Sequence, residues 1–221
     1  MADVRSASIG LTHPHGHPHQ LRRGQGDPEW PTASRPEDAA AFVEGRIAEG
    51  PDYIKVIIED GTMMNTSLPA VSPEVVHAVV DAAHDRGLMV LAHALTAVTT
   101  RLALDVGADG LAHLMVDEVI PDDLIGQIVD QQTFVMPTLV LAASAASNGA
   151  GPRLAADPRV TARLTGRWID NLWHEFAVGA DLDTALEPVR RPHNAGVRLL
   201  AGTDAAHFGA LGLAPRHQPA R

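Results

Sequence analysis

Apolar runs alternate with helical stripes along most of this chain, and the alternation has the rhythm of repeated strand-helix units. Residues 7–11 read as a short strand. A helix follows through Ala39, Phe42, Val43 and Ile47, opened by a capping-box pattern of Ser34 and Glu37 around Pro36 and closed at Gly50. The run 53–58 is apolar on both faces, as in a parallel sheet covered on both sides, and Lys55 is the anomaly within it. Ser72-Pro73-Glu74 then caps a helix whose Val75, Val76, Val79, Val80 and Ala83 share a stripe, with Gly87 in the position of a left-handed cap.

Two tight units come next. Strand 88–93 precedes helix 96–106 and Gly107, and strand 110–113 precedes helix 121–131. Strand 133–136, stopped by Pro137, continues the series, and strand 197–201 delivers Gly202-Thr203-Asp204. Residues 22–35 are polar and rich in Gly and Pro, which suits a surface excursion. Residues 142–157 read as an exposed loop, with helical patterning over 161–178 and again over 182–193. The stripe of Trp168, Ile169, Leu172 and Phe176 reads as helix packing. The fold class expected is α/β: about six parallel strands, short of the eight that close a barrel, with every strand C-terminus on one face.

Composition narrows the chemistry. The chain has 221 residues, enough for one sizeable core and just under the roughly 250 of a β/α barrel. A formal charge of −10 argues against nucleic acid and anionic membranes as partners, since both are bound through clustered Lys and Arg, and leaves small molecules. With no cysteine there is no disulfide and no thiolate ligand, so any metal must sit on imidazole and oxygen donors. Without a signal peptide or an uninterrupted apolar span, a soluble cytoplasmic protein is the expectation.

Four polar residues stand out on the strands: Lys55 lies inside its strand, while His93, His113 and Asp204 end theirs, where ligands bind in such folds. Each has a plain reading beside the functional one. Lys55 can snorkel to solvent, His93 and His113 can be hydrogen-bonded core histidines, and Asp204 can cap a helix. As a set they suit a metal site. A buried lysine is costly as ammonium, and its neutral amine can take up carbon dioxide to give an anionic oxygen ligand. His93 and His113 would complete a site suited to zinc, and Asp204 could bind a second ion or accept a proton from activated water, which implies hydrolysis. The tract Thr12-His13-Pro14-His15-Gly16-His17-Pro18-His19 reads as a loop, either solvated or metal-binding. His207 reads as a loop residue near the site, and His77 and His84 as surface or packing residues.

The runs Asp52-Tyr53-Ile54-Lys55-Val56, Gly87-Leu88-Met89-Val90-Leu91-Ala92-His93-Ala94, Gly107-Ala108-Asp109-Gly110-Leu111-Ala112-His113, Met136-Pro137-Thr138-Leu139 and Gly196-Val197-Arg198-Leu199-Leu200-Ala201-Gly202-Thr203-Asp204 together resemble the amidohydrolase superfamily, in its imidazolonepropionase-like and Xaa-Pro-dipeptidase-like branch. The resemblance implies a TIM-type β/α barrel over residues 1–210, about six to seven of eight strands, with an irregular tail at 211–221. It implies a divalent metal, zinc as one or two ions, held by a carboxylated Lys55, His93, His113 and Asp204. Asp204 would be the catalytic proton shuttle, with His17 and His207 beside the substrate. The substrate implied is a small amide or dipeptide-like molecule cleaved at a C–N bond by metal-activated water. The family's His-x-His first strand has no counterpart here, because His13, His15, His17 and His19 have its spacing but lie in the Pro-rich loop. The alternative expectation is therefore a truncated or inactive homologue with at most a mononuclear site, or a binding module. Open sheet edges would favour a homo-oligomer.

Overall fold

The structure is a computed structural model and describes residues 5–21, 29–64, 66–115, 117–139, 149–173, 189–202 and 204. Four parallel strands form its centre: β1 (Ile54–Ile57), β2 (Val90–His93), β3 (Gly110–Ala112) and β4 (Phe134–Met136), neighbours in chain order. Both ends of this sheet are extended by single bridges. Leu11 pairs with Val56 outside β1, and Leu199 pairs with Val135 outside β4, both parallel. The strands expected at 7–11 and 197–201 are thus present as one-residue contacts, pinned by Leu11 N–H to Lys55 O, 2.9 Å, and Leu200 N–H to Val135 O, 2.8 Å. Of the surface excursion expected at residues 22–35, only 29–35 are described, and these are exposed or half-buried apart from Ala33. Thr32 pairs with Thr12, and Ala33 beside it is buried, because Thr12 N–H reaches Pro31 O.

The crossovers are the expected helices. Helix α1 (Asp38–Ile47) buries Ala39, Phe42 and Val43. Its entry is tied by Asp38, which accepts the Ser34 and Arg35 amides, and no Glu37 side-chain cap forms. Helix α2 (Pro73–His84) carries the valine stripe inward, each buried valine contributing roughly 1.5–3 kcal/mol, and Ser72 caps it by accepting the Val75 amide. Gly87 adopts φ +69 and lets Leu88 N–H close back on Ala83 O. Helix α3 (Ala97–Asp105) starts with a reciprocal Thr96-Thr99 capping box, and α4 (Asp122–Asp130) buries Leu124, Ile125 and Ile128.

Beyond β4 lie α5 (Ala150–Ala155), α6 (Pro158–Thr161) and α7 (Gly166–Leu172). The loop expected at 142–157 is therefore helical over α5, where Asp157 then caps α6, and the helix expected at 161–178 is divided at residues 162–165. Leu172 is fully buried, while Phe176 and the tail at 211–221 lie outside the described residues.

The sheet's outer face makes the core: Leu11, Ile54, Val56, Val90, Ala92, Leu111 and Val135 pack against the helices. By strand alternation the other face carries Lys55, Leu91, Gly110 and Phe134 in one register row and Ile57, His93, Ala112 and Met136 in the next. Long side chains on this face lie over glycines. A Cβ on Gly10 would stand 2.8 Å from Lys55 Cγ, one on Gly110 2.3 Å from Phe134 Cζ, and one on Gly202 2.4 Å from Met136 Sδ. Pairing small with large residues fills a curved inner layer, so the described residues form an arc of a β/α barrel.

Candidate active site

The C-terminal ends of the strands gather three imidazoles. His93 is the last residue of β2, and its ring meets that of His113 edge to face, with centroids 4.6 Å apart and planes at 79°. On its other side His93 stacks with His17 at 5.4 Å and 24°. Of the four alternating histidines, His17 alone is shown touching this group. It is carried there by the turn around Gly16, where a Cβ would fall 2.7 Å from Pro69 O. His13 and His15 face each other with ring centroids 6.2 Å apart.

His113 reaches the inner face by a backbone device. It follows Ala112, an inward residue, so simple alternation would turn it outward. A left-handed backbone, φ +85, re-aims it, held by its N–H to Met136 O at 2.8 Å. Its Nδ1 sits 2.6 Å from Thr138 Oγ1, at another residue with positive φ, +44. Both positions strain a side chain with a Cβ, and they meet each other.

Lys55 lies one inner row below His93, two residues and roughly 6–7 Å down the strand direction. Burial lowers its pKa from 10.5 to about 8, and the charge of Asp204 opposes that shift. Asp204, with φ +51 and partly buried, therefore stands where its field reaches Lys55. His207 lies outside the described residues.

One further side chain is central. The Glu59 carboxylate is buried. Its Oε1 accepts the Gly61 amide at 2.7 Å, and its Oε2 lies 3.2 Å from His93 Nε2. Burial raises its pKa, while the Gly61 N–H and His17 pull the other way. Sequence reasoning passed over Glu59 and Thr138 as site residues, although a signal existed. Residues 55, 57 and 59 share one strand phase, as do 134, 136 and 138, so both side chains continue the inner face past the strand ends.

Two imidazoles in contact, a lysine whose charged form is disfavoured, and an aspartate are donors of the type a zinc-like divalent ion takes. Among the described residues no three His, Asp or Glu side chains gather into an ion-holding group.

No family model and no curated protein matches the sequence. Solved structures do. A Xaa-Pro dipeptidase with methionine bound in its active site is 22% identical, with a TM-score of 0.64, over 93% of this chain and 49% of that one. An amidohydrolase is 23% identical, TM-score 0.63, over 92% and 47%, and the ochratoxinase of A. niger is 19% identical, TM-score 0.64, over 94% and 47%. The chain shares the β/α-barrel fold of these structures. It spans about half the length of the amidohydrolase-fold structures it matches. Within that fold, the strand ends that carry His93 and His113 form the mouth where barrel enzymes place their chemistry. No helix among the described residues is long and apolar enough to cross a membrane.

Proposed function

We propose that this chain provides part or all of a metal-dependent hydrolase that cleaves a C–N bond in a small amide or dipeptide-like substrate. The observation that carries the reading is the edge contact of His93 and His113 at neighbouring strand ends, with the desolvated Lys55 in the row beneath. His93, His113 and Lys55 would hold a divalent ion, zinc by donor type, with Asp204 at its side. Burial favours the neutral amine of Lys55, whose nitrogen can add to carbon dioxide with loss of a proton, giving an anionic oxygen donor. Such an ion polarises a carbonyl oxygen and acidifies water.

The residues of the chain divide the remaining work. Asp204 takes a proton from the attacking water and returns it to the leaving nitrogen, so that a C–O bond replaces the C–N bond and an acid and an amine result. His17, stacked on His93, borders the place where the substrate lies, and His207, three residues after Asp204 in the sequence, is proposed for the same border. The matched Xaa-Pro dipeptidase supports the choice of dipeptide-like substrates.

Elemental analysis of the purified chain tests the reading, together with hydrolysis of a panel of Xaa-Pro dipeptides. About one equivalent of zinc, lost in Lys55→Ala and His93→Ala, is the expected result. Less than about half an equivalent, unchanged by either substitution, would sink it.

A further inference from the structure

The two imidazoles that meet at the strand ends are each gripped at one nitrogen by a residue of the same inner face. Thr138 Oγ1 grips His113 at Nδ1, and Glu59 Oε2 faces His93 at Nε2. The Glu59 grip is the stronger in chemical terms. The side chain is almost completely buried, its Oε1 is already committed to the Gly61 amide, and a carboxylate can only accept at the second oxygen. With Glu59 ionised, an imidazole beside it must present an N–H. Neutral imidazole carries one proton, so an N–H at Nε2 leaves the lone pair at Nδ1.

We propose that Glu59 is a positioning residue that fixes His93 as the Nε2–H tautomer and so makes Nδ1 the nitrogen His93 offers to a ligand. The inference deepens the metal-site reading above and rests on it for the identity of that ligand. Its physical content is independent of any ion: the strand-end carboxylate chooses the tautomer. Residues that hold the outer nitrogen of a metal-binding histidine orient the ring and raise its basicity, and their loss typically weakens metal binding about 10–100-fold.

Glutamine is the discriminating substitution because it keeps the shape and loses one acceptor. In Glu59→Gln the amide has one oxygen, which cannot serve both Gly61 N–H and His93 N–H, and its NH2 must face one of them. The Gly61 contact, within the same loop, retains the oxygen, and the NH2 then points at His93 Nε2 and drives the proton to Nδ1. Glu59→Asp keeps two acceptor oxygens and serves as the conservative rescue.

The test is long-range 1H–15N NMR of the histidine rings in the metal-free full chain, with cobalt(II) titration of the same samples. The expected wild-type pattern for His93 is a protonated Nε2 and an unprotonated Nδ1. The expected pattern in Glu59→Gln is a majority of the opposite tautomer, with cobalt affinity down about 10–100-fold, and Glu59→Asp should return both toward wild type. A wild-type His93 protonated on Nδ1, or a wild-type tautomer preserved in Glu59→Gln, overturns the assignment. If the wild-type chain takes up no cobalt, the metal reading falls while the ring pattern still decides the role of Glu59. A circular-dichroism melt of each variant shows that the rings compared belong to folded protein.

Discussion

Gly10 stands beside Lys55 so closely that any Cβ there would lie 2.8 Å from Lys55 Cγ and 3.2 Å from both its Cβ and its carbonyl oxygen. The lysine stem therefore lies flat over the glycine backbone, and this is how a charged residue is accommodated on the inner face of a packed arc. Gly10→Ala forces the stem or the strand to move, since neither Cγ nor the carbonyl is the free end of a flexible chain. The expected cost is about 1–3 kcal/mol, measured by urea denaturation, and an unchanged midpoint would show that the layer yields freely.

Lys55 makes stability depend on pH in a stated direction. The unfolded chain holds this proton up to about the ordinary value of 10.5, and the folded chain only up to about 8. Between those values the unfolded state binds more protons, so stability rises with pH across that window, by about 3 kcal/mol in total. Lys55→Met removes the cost of burying the charge. In metal-free buffer without carbon dioxide, the variant should be more stable than wild type at pH 7 by on the order of 1–3 kcal/mol, and flat from pH 8 to 10. A flat wild-type profile over that range would contradict the burial of an amine at this position.

Thr138 and His113 form the second pair on which the site depends. Thr138→Val preserves shape and removes the hydroxyl 2.6 Å from His113 Nδ1, at a buried position. A loss of about 1–2 kcal/mol is expected, with Thr138→Ser close to wild type because it keeps the hydroxyl. Equal stability of the Val and Ser variants in thermal melts would mean that the hydroxyl serves no such role.

Away from the site, Ser72 begins the helix that covers β1 and β2. Its Oγ accepts the Val75 amide at 3.4 Å, a long bond, so Ser72→Ala should cost about 0.5–1 kcal/mol, at the low end for caps. Hydrogen exchange at Val75 should accelerate. An unaltered rate there would assign the helix start to Pro73 and packing alone.

The elements legible in the sequence are those whose causes are local. The valine stripe and Ser72 cap of α2, the Thr96 start of α3, the glycine stops at 87 and 107, and the apolar runs of β1 to β4 each depend on neighbours within four residues, and each stands where its pattern put it. Lys55 and His93 were legible for the same reason, Lys55 as the polar anomaly inside an apolar run and His93 as the polar residue that ends one. The single-bridge strands at Leu11 and Leu199, the pairing of Thr32 with Thr12 and the helix α5 followed less closely, because edge pairing depends on partners far along the chain.

What only tertiary structure decided is which side chains meet. Alternation alone would have turned His113 away, and a left-handed residue held by the Met136 carbonyl turns it toward His93. One histidine of four in the Pro-rich tract is shown at the site, because Gly16 fits under Pro69 and brings His17 over His93. Glu59 gained its place only when parallel register set β1 beside β2, since 34 residues separate it from the ring it holds. By itself the sequence determined the repeating units and the kind of chemistry their ends could carry. Register, glycine contacts and three left-handed residues, His113, Thr138 and Asp204, determined the geometry, because they are set by long-range packing that no local pattern encodes.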